Sequence, residues 1–301
     1  MIRPRRSLLF MPGSNARALE KARNLPADGI ILDLEDSVAP DAKAVARDQI
    51  ASAIAAGGFG RREVLIRVNA LDSPWWIDDV TMAGKAKPDG ILVPKISSVQ
   101  DLSAIADRLS DIGAPMSIRV WAMIETARAV LHAEELAAAS RDSEMRLAGF
   151  VFGPNDISRE TRIRMQPGRL AMLPMITHCI LATRLHGLEI LDGPYSDFSN
   201  VDGFAQECAQ GRDLGFDGKT LIHPGQIDAL QRDLHAASRG SRAGAKNHRG
   251  VRAAGKCRAR CYSTRRPDGG ETACGHGKTY HRDCGCDRRN CELTGRRCAL
   301  P

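Results

Sequence analysis

Hydrophobic runs of four to eight residues recur along the first three quarters of this chain, and each breaks off at a charged side chain. GIILDLED stops at Glu35 and Asp36, VLIRVN carries Arg67 near its end, and GILVPK stops at Lys95. WAMIET reaches Glu125 and LAGFVFGPND reaches Asp156. Successive charged ends lie 32, 28, 30 and 31 residues apart. Amphipathic stretches with helical spacing fill the intervals. A near-continuous β-branched run, a polar end and a helix, repeating about every 30 residues, is the period of a strand–helix unit.

The pattern predicts eight such units. Strands are expected at Ser7–Met11, Gly29–Leu34, Val64–Val68, Gly90–Pro94, Ile118–Ile124, Leu147–Phe152, Leu188–Leu191 and Lys219–Ile222. Helices are expected at Ala16–Arg23 behind a Ser14 cap, Ala42–Ala56, Pro74–Ala86, Val99–Ser110, Ala127–Ala139, Gly168–His186 and Asp202–Leu214, with a short start at Gly225–Leu230. Runs that are apolar on both faces belong in a parallel sheet covered by helices. Eight units in about 230 residues favour an α/β fold of the (β/α)8 barrel type. The rival is an open doubly wound sheet, which calls for a glycine-rich first turn. Met11-Pro12-Gly13-Ser14 is not one.

Composition changes the picture only at the far end. The formal charge of +7 is carried by the last stretch: from Arg239 onward there are 16 basic against 5 acidic residues, whereas the preceding part holds 27 against 31. Seven of the nine cysteines also lie there, leaving Cys179 and Cys208 in the acidic part. That part reads as a cytoplasmic enzyme, with no nucleic-acid partner implied by the net charge. No apolar run approaches the ~20 residues of a membrane span. The basic start MIRPRRSLLFMPGSN meets Pro12-Gly13 too soon for an export signal. The expected organisation is a barrel domain over residues 1–230 and an irregular, poorly ordered tail over 231–301.

In a barrel, all the strand ends meet at one mouth, where active sites sit. Glu35, Asp36, Arg67, Lys95, Glu125 and Asp156 would then share it. One strand-end acid is most often a cap or an ion-pair partner. Charged groups on successive strand ends are harder to dismiss, because burying them together is costly unless ions or ligands pair them. Glu125 and Asp156 are a donor pair for Mg2+, which takes one or two carboxylates and keeps waters. Glu35 and Asp36 could hold those waters. Arg67 offers a fork for a substrate carboxylate, and Lys95 a further ligand contact. A cation chelated by a 2-oxo acid would polarise its carbonyl and stabilise an enolate, as aldol-type cleavage needs. His223-Pro224 reads either as a site wall or as packing, and Trp75-Trp76 as packing. Arg5, Arg6 and Lys21 are candidate contacts for CoA phosphates.

RSLLFMPGSN, LDLEDSV, IRVNA, VPKI, MIET, FGPNDIS and GFDGKTLIHPGQI together resemble the HpcH/HpaI aldolase/citrate lyase family, in the branch of citrate lyase beta-subunit-like CoA-ester lyases that includes malyl-CoA and citramalyl-CoA lyases. The resemblance runs in order over residues 3–229. It implies a (β/α)8 barrel, a homotrimer or homohexamer, and Mg2+ held by Glu125 and Asp156. Arg67 would grip the substrate carboxylate. The implied reaction cleaves a 3-hydroxy-carboxyacyl thioester of CoA or acyl-carrier protein into an acyl thioester and a 2-oxo acid. Some relatives are thioesterases instead.

The resemblance stops near Ala229. The Cys and His positions beyond it do not have the spacing of a zinc finger or ribbon. Codons compatible with Cys261–Gly270, read one base later, give VILLDGRMV. The same shift turns Ala245–Gly255 into RRIIAAFEAAEN and Glu271–Arg288 into another amphipathic run, with a stop permitted at Leu293-Thr294. A one-base frameshift near Leu230 is the expectation. In the lyase branch, the resemblance assigns the aspartate of LDGRM to acid/base work in a neighbouring subunit's site. That segment is missing from the chain as written, so a catalytically impaired, thioester-binding paralogue stands as a further alternative beside the lyase and the thioesterase.

Overall fold

The computed structural model describes residues 4–232, and the tail readings above fall outside them. The eight strands are β1 Ser7–Pro12, β2 Gly29–Asp33, β3 Glu63–Arg67, β4 Gly90–Val93, β5 Arg119–Ile124, β6 Leu147–Phe152, β7 Glu189–Asp192 and β8 Gly218–Leu221. All neighbours pair in parallel, and β8 returns to β1, so the sheet closes into the expected eight-stranded barrel. No helix among the described residues is long and apolar enough to cross a membrane.

Alternation along each strand sorts the side chains. Leu8, Ile31, Leu65, Leu92, Trp121, Met123, Val151 and Leu191 pack inside the barrel. Their sequence neighbours, such as Leu9, Ile30, Ile66, Ile91 and Phe150, pack outward under the helices. Since the side-chain period is two residues, the inner face continues from Ile31 to Asp33, from Leu65 to Arg67 and from Met123 to Glu125. The polar upper rung is therefore set by the same register as the apolar core.

The helices are α1 Ala16–Ala22, α2 Lys43–Ala56, α3 Trp76–Ala86, α4 Val99–Asp111, α5 Ala127–Leu131, α6 Ala133–Ala138, α7 Pro154–Thr161, α8 Leu173–Leu185 and α9 Val201–Leu214. Three details differ from the sequence reading. Asn15, not Ser14, caps α1, accepting from the Ala18 N–H. The helix expected after β5 is two, with His132 ending α5 and preceding α6. The α7 helix follows β6 where no helix was expected, and α8 starts later than Gly168. Pro154 sits in the first turn of α7, where its fixed φ suits a helix start. Only Pro154 and Ile157 of this helix are buried, so it leaves no apolar stripe to read.

The lower end of the barrel is plugged. Arg5 pairs with Glu63 through its Nε and donates from Nη2 to Glu63 Oε1 at 2.9 Å and from Nη1 to Glu189 Oε1 at 2.6 Å. Its guanidinium lies 5.3 Å from the Trp121 ring centre. Arg6 is held by Asp28. Glu63 and Glu189 begin their strands, so Arg5 is at the end opposite the mouth. Arg5 and Arg6 are thus not contacts for a ligand at the mouth, and their ion pairs give them structural work.

Candidate active site

The upper rung encloses a cavity of about 320 Å³. Its polar walls are Asp33, Asp36, Ser37, Arg67, Glu125, Asn155 and Asp156, and its apolar walls include Phe10, Met123, Pro154, Pro194 and Ile222. Four of the six expected side chains therefore line one space or contact it directly: Arg67, Asp36, Glu125 and Asp156. Glu35 joins them through Arg67, its Oε2 lying 2.9 Å from Nη1.

Arg67 is the most constrained group. It is in register with Asp33 on the adjacent strand, and the two form a fork: Nε to Oδ1 at 2.6 Å and Nη2 to Oδ2 at 2.8 Å. Nη1 reaches Glu35 and, more weakly at 3.3 Å, Asp36. Phe10 lies beneath the guanidinium, 4.7 Å from ring centre to Cζ. Asp33 also accepts from the Glu35 N–H and from the Ser37 N–H and hydroxyl, so it folds the loop after β2 around itself. Burial alone would push the Asp33 carboxyl up. Arg67 and these hydrogen bonds hold it below the usual range. Sequence reasoning missed Asp33, although alternation from Ile31 points to it.

Glu125 and Asp156 come from consecutive units. Glu125 follows the last residue of β5 and is 2 % exposed. Its Oε1 accepts the Lys95 backbone N–H at 2.8 Å. Lys95 is in the left-handed region, φ 55°, and this turn aims its amide at the carboxylate. The Lys95 side chain is exposed and is not among the cavity walls. Its contribution to the rung is therefore the main-chain donor. On the other side of Glu125, a Cβ built on Gly153 would lie 2.4 Å from Glu125 Cβ and 2.8 Å from Oε2. Glycine is required there so that β6 can turn past the carboxylate into α7. Asp156 stands in the first turn of α7.

The carboxylates outnumber their partners. The Glu125 carboxyl is pushed up to about 7, chiefly by burial and next by Asp156. Glu35 is pushed up to about 8 by burial, against the pull of Arg67 and with added repulsion from Glu125 and Asp36. Buried like charges crowding one cavity are what a cation relieves. Among the described residues no three His, Cys, Asp or Glu side chains form a complete protein cage. Two carboxylates facing this cavity, which has room for waters and a small ligand, instead fit Mg2+, which keeps waters and accepts oxygens from its ligand.

Two other groups settle as packing or rim. Trp75 stands 5.1 Å from the Lys43 ammonium and Trp76 packs against the core. His223 caps the turn after β8, accepting from Gly225 N–H, and stacks on Phe198 at 4.9 Å.

Comparison with known proteins agrees with this architecture. The family model described as HpcH/HpaI aldolase/citrate lyase matches residues 6–224. A (3S)-malyl-CoA thioesterase of Cereibacter sphaeroides is 48% identical over 225 residues, covering 75% of each chain. Citrate lyase subunit beta of Escherichia coli is 37% identical over 233 residues, covering 76% of each. Among solved structures, protein CitE of Mycobacterium tuberculosis in complex with magnesium, acetoacetate and coenzyme A superposes with a TM-score of 0.67 at 25% identity, over 82% of this chain and 89% of that one. With a family model spanning most of the barrel and relatives of this likeness, the chain belongs to the HpcH/HpaI aldolase/citrate lyase family.

Proposed function

We propose that the chain is a Mg2+-dependent carbon–carbon lyase acting on a 3-hydroxy-carboxyacyl thioester of the malyl, citramalyl or citryl type and releasing an acyl thioester and a 2-oxo acid. The observation that carries this reading is the crowding of Glu125 and Asp156 in a cavity that also holds Arg67. Magnesium in the related CitE structure, bound together with acetoacetate and coenzyme A, supports it.

Glu125 and Asp156 would hold the cation, which supplies Lewis-acid polarisation of a carbonyl when bound. Arg67 binds and orients a substrate carboxylate. Its Nε edge is committed to Asp33, so the carboxylate meets the Nη edge and displaces Asp36, the longest and most exposed of its partners. Phe10, Met123 and Ile222 form the apolar walls that limit water around the breaking bond. The Lys95 amide keeps Glu125 aimed at the cavity.

A second reading has a specific observation behind it: relatives at 46–48% identity are named (3S)-malyl-CoA thioesterases. Such an enzyme would release free CoA from the same site. A panel of CoA and acyl-carrier-protein thioesters with Mg2+, followed for both 2-oxo acid and free thiol, separates the two. Appearance of 2-oxo acid supports the lyase, appearance of free thiol alone supports the thioesterase, and neither product from the chain as written or from its frame-restored version rejects both. We further propose that the written tail replaces a shifted-frame segment. About a quarter of this chain, and of the thioesterase, lies outside their match, which accords with that reading. The chain as written should then keep cation binding and turn over much more slowly than a frame-restored version. Equal turnover by the two removes the frameshift from the functional account.

A further inference from the structure

The α2 helix carries a buried lysine that the proposed chemistry does not use. Lys43 is 5 % exposed, and its ammonium donates to Leu34 O at 2.6 Å, Glu35 O at 2.8 Å and Asn69 Oδ1 at 2.7 Å. Those acceptors sit on two segments. Leu34 and Glu35 begin the loop after β2, and Asn69 lies two residues beyond Arg67. Asn69 in turn donates to Leu34 O at 3.0 Å and to Asp79 Oδ2 at 2.6 Å. A tetrahedral ammonium has three donors, and here each finds an acceptor without a direct carboxylate partner. The group is thus built as a strut between two loops, not as half of an ion pair.

We propose that Lys43 is a positioning residue that locks the Glu35 loop against the Arg67 segment and so sets the grip on the substrate carboxylate. The inference rests on the lyase-type reading of the site. Its physical basis is that one ammonium gathers three acceptors from both segments: Leu34 O also accepts from Asn69 and Glu35 O from the Val38 N–H, but the Lys43 ammonium is what ties Glu35 O to Asn69. Without the ammonium the Glu35 backbone is released, Glu35 moves off Arg67, and the guanidinium loses its fixed orientation. Glu125 and Asp156 stand on other units and do not depend on this strut.

The other buried lysine among the described residues supplies the control. Lys219 is 2 % exposed but pairs with Asp192 and Glu207 behind β8. Lys43→Met and Lys219→Met should both lower thermal stability. Only Lys43→Met should weaken binding of pyruvate in the presence of Mg2+ by tenfold or more and raise KM for the turned-over thioester similarly, with Mg2+ affinity measured alone changing less than threefold. Lys43→Gln, which keeps fewer donors, should fall between the parent and Lys43→Met, and it carries the comparison if Lys43→Met is insoluble. Equal pyruvate affinity and KM in the Lys43 and Lys219 variants overturns the inference while leaving the proposed function standing. A parent chain that binds no pyruvate and turns over no thioester overturns the proposed function, and the strut's role with it.

Discussion

The two ends of this barrel treat charge in opposite ways. At the floor, Arg5 is matched to Glu63 and Glu189 and covers the Trp121 ring. The guanidinium is held charged, its pKa raised mainly by the hydrogen bond to Glu63. At the mouth, Arg67 is shared by Asp33, Glu35 and Asp36, Glu125 faces the same cavity with no ion pair drawn to it among the described residues, and Asp156 has only the solvent-exposed Arg159, 3.3 Å away. Similar residues on similar strand ends therefore build a closed plug in one place and an anion-rich pocket in the other. What differs is the count of partners, and the shortfall at the mouth is the strongest internal argument for a bound cation.

That contrast makes charge neutralisation act with opposite sign at the two ends. Glu125→Gln should abolish turnover, by about a thousandfold or more, since a cation loses one of two protein carboxylates. In the absence of metal the same change should leave the melting temperature unchanged or raised, because a repulsive buried charge is gone. Glu63→Gln should do the reverse: it leaves Arg5 short of a partner and costs about 3 kcal/mol, the low end for breaking a buried pair, with little effect on catalysis. Thermal melts of both variants beside steady-state rates decide it. Destabilisation by Glu125→Gln without metal would break the comparison.

Geometry gives a next, smaller effect. Gly153→Ala adds a methyl within 2.4 Å of Glu125 Cβ, and neither strand end can yield freely. Mg2+ affinity should fall by roughly ten- to a hundredfold if the displaced carboxylate costs about 1.4–2.8 kcal/mol of binding. Isothermal titration with Mg2+ measures this directly. Retained affinity would mean that Glu125 does not hold the ion.

The pH dependence sharpens the same point. Glu125 and Glu35 are pushed up to about 7 and about 8. A carboxyl raised on folding favours the folded state most below its unfolded pKa, and that contribution is lost as pH climbs through the folded value. The metal-free protein should therefore lose stability between about pH 5 and pH 8, by roughly several kcal/mol. The rise in melting temperature on adding Mg2+ should be larger at pH 8 than at pH 6. A metal-free melting curve that is flat over that range contradicts the crowding described at the mouth.

Much of this was legible before any coordinates. The 30-residue spacing of Glu35, Arg67, Lys95, Glu125 and Asp156 contains both the barrel and its mouth, because strand register in a closed parallel sheet brings equivalent positions together. Local propensity did not reveal α7, whose Ile157 is its one buried aliphatic residue and which depends on the packing of its neighbours. Asp33 was hidden by its position inside an apolar run, where alternation had to be followed one step further. Lys43 and Arg5 were illegible for another reason. Their partners lie on separate strands and loops, and nothing in the spacing of α2 or the N-terminal arginines says which charge will be struck inward and which left in water.

Lys95 tests how finely the mouth can be read, and its expected effect is the smallest. The sequence offers a cationic side chain as a ligand contact. The structure has that side chain exposed and the backbone N–H on Glu125 at 2.8 Å. Lys95→Ala keeps the amide and the turn, so turnover and Mg2+ affinity should change by less than about threefold, near the few tenths of a kcal/mol typical of exposed charges. Lys95→Gly should behave alike and gain slightly in stability, since φ 55° suits glycine better than any branched or long side chain. Lys95→Pro removes the donor and cannot adopt that φ, and it should lose activity nearly as fully as Glu125→Gln. A tenfold loss in Lys95→Ala with unchanged Mg2+ binding would reverse the assignment, giving the ammonium a place on the substrate and reducing the amide to a bystander.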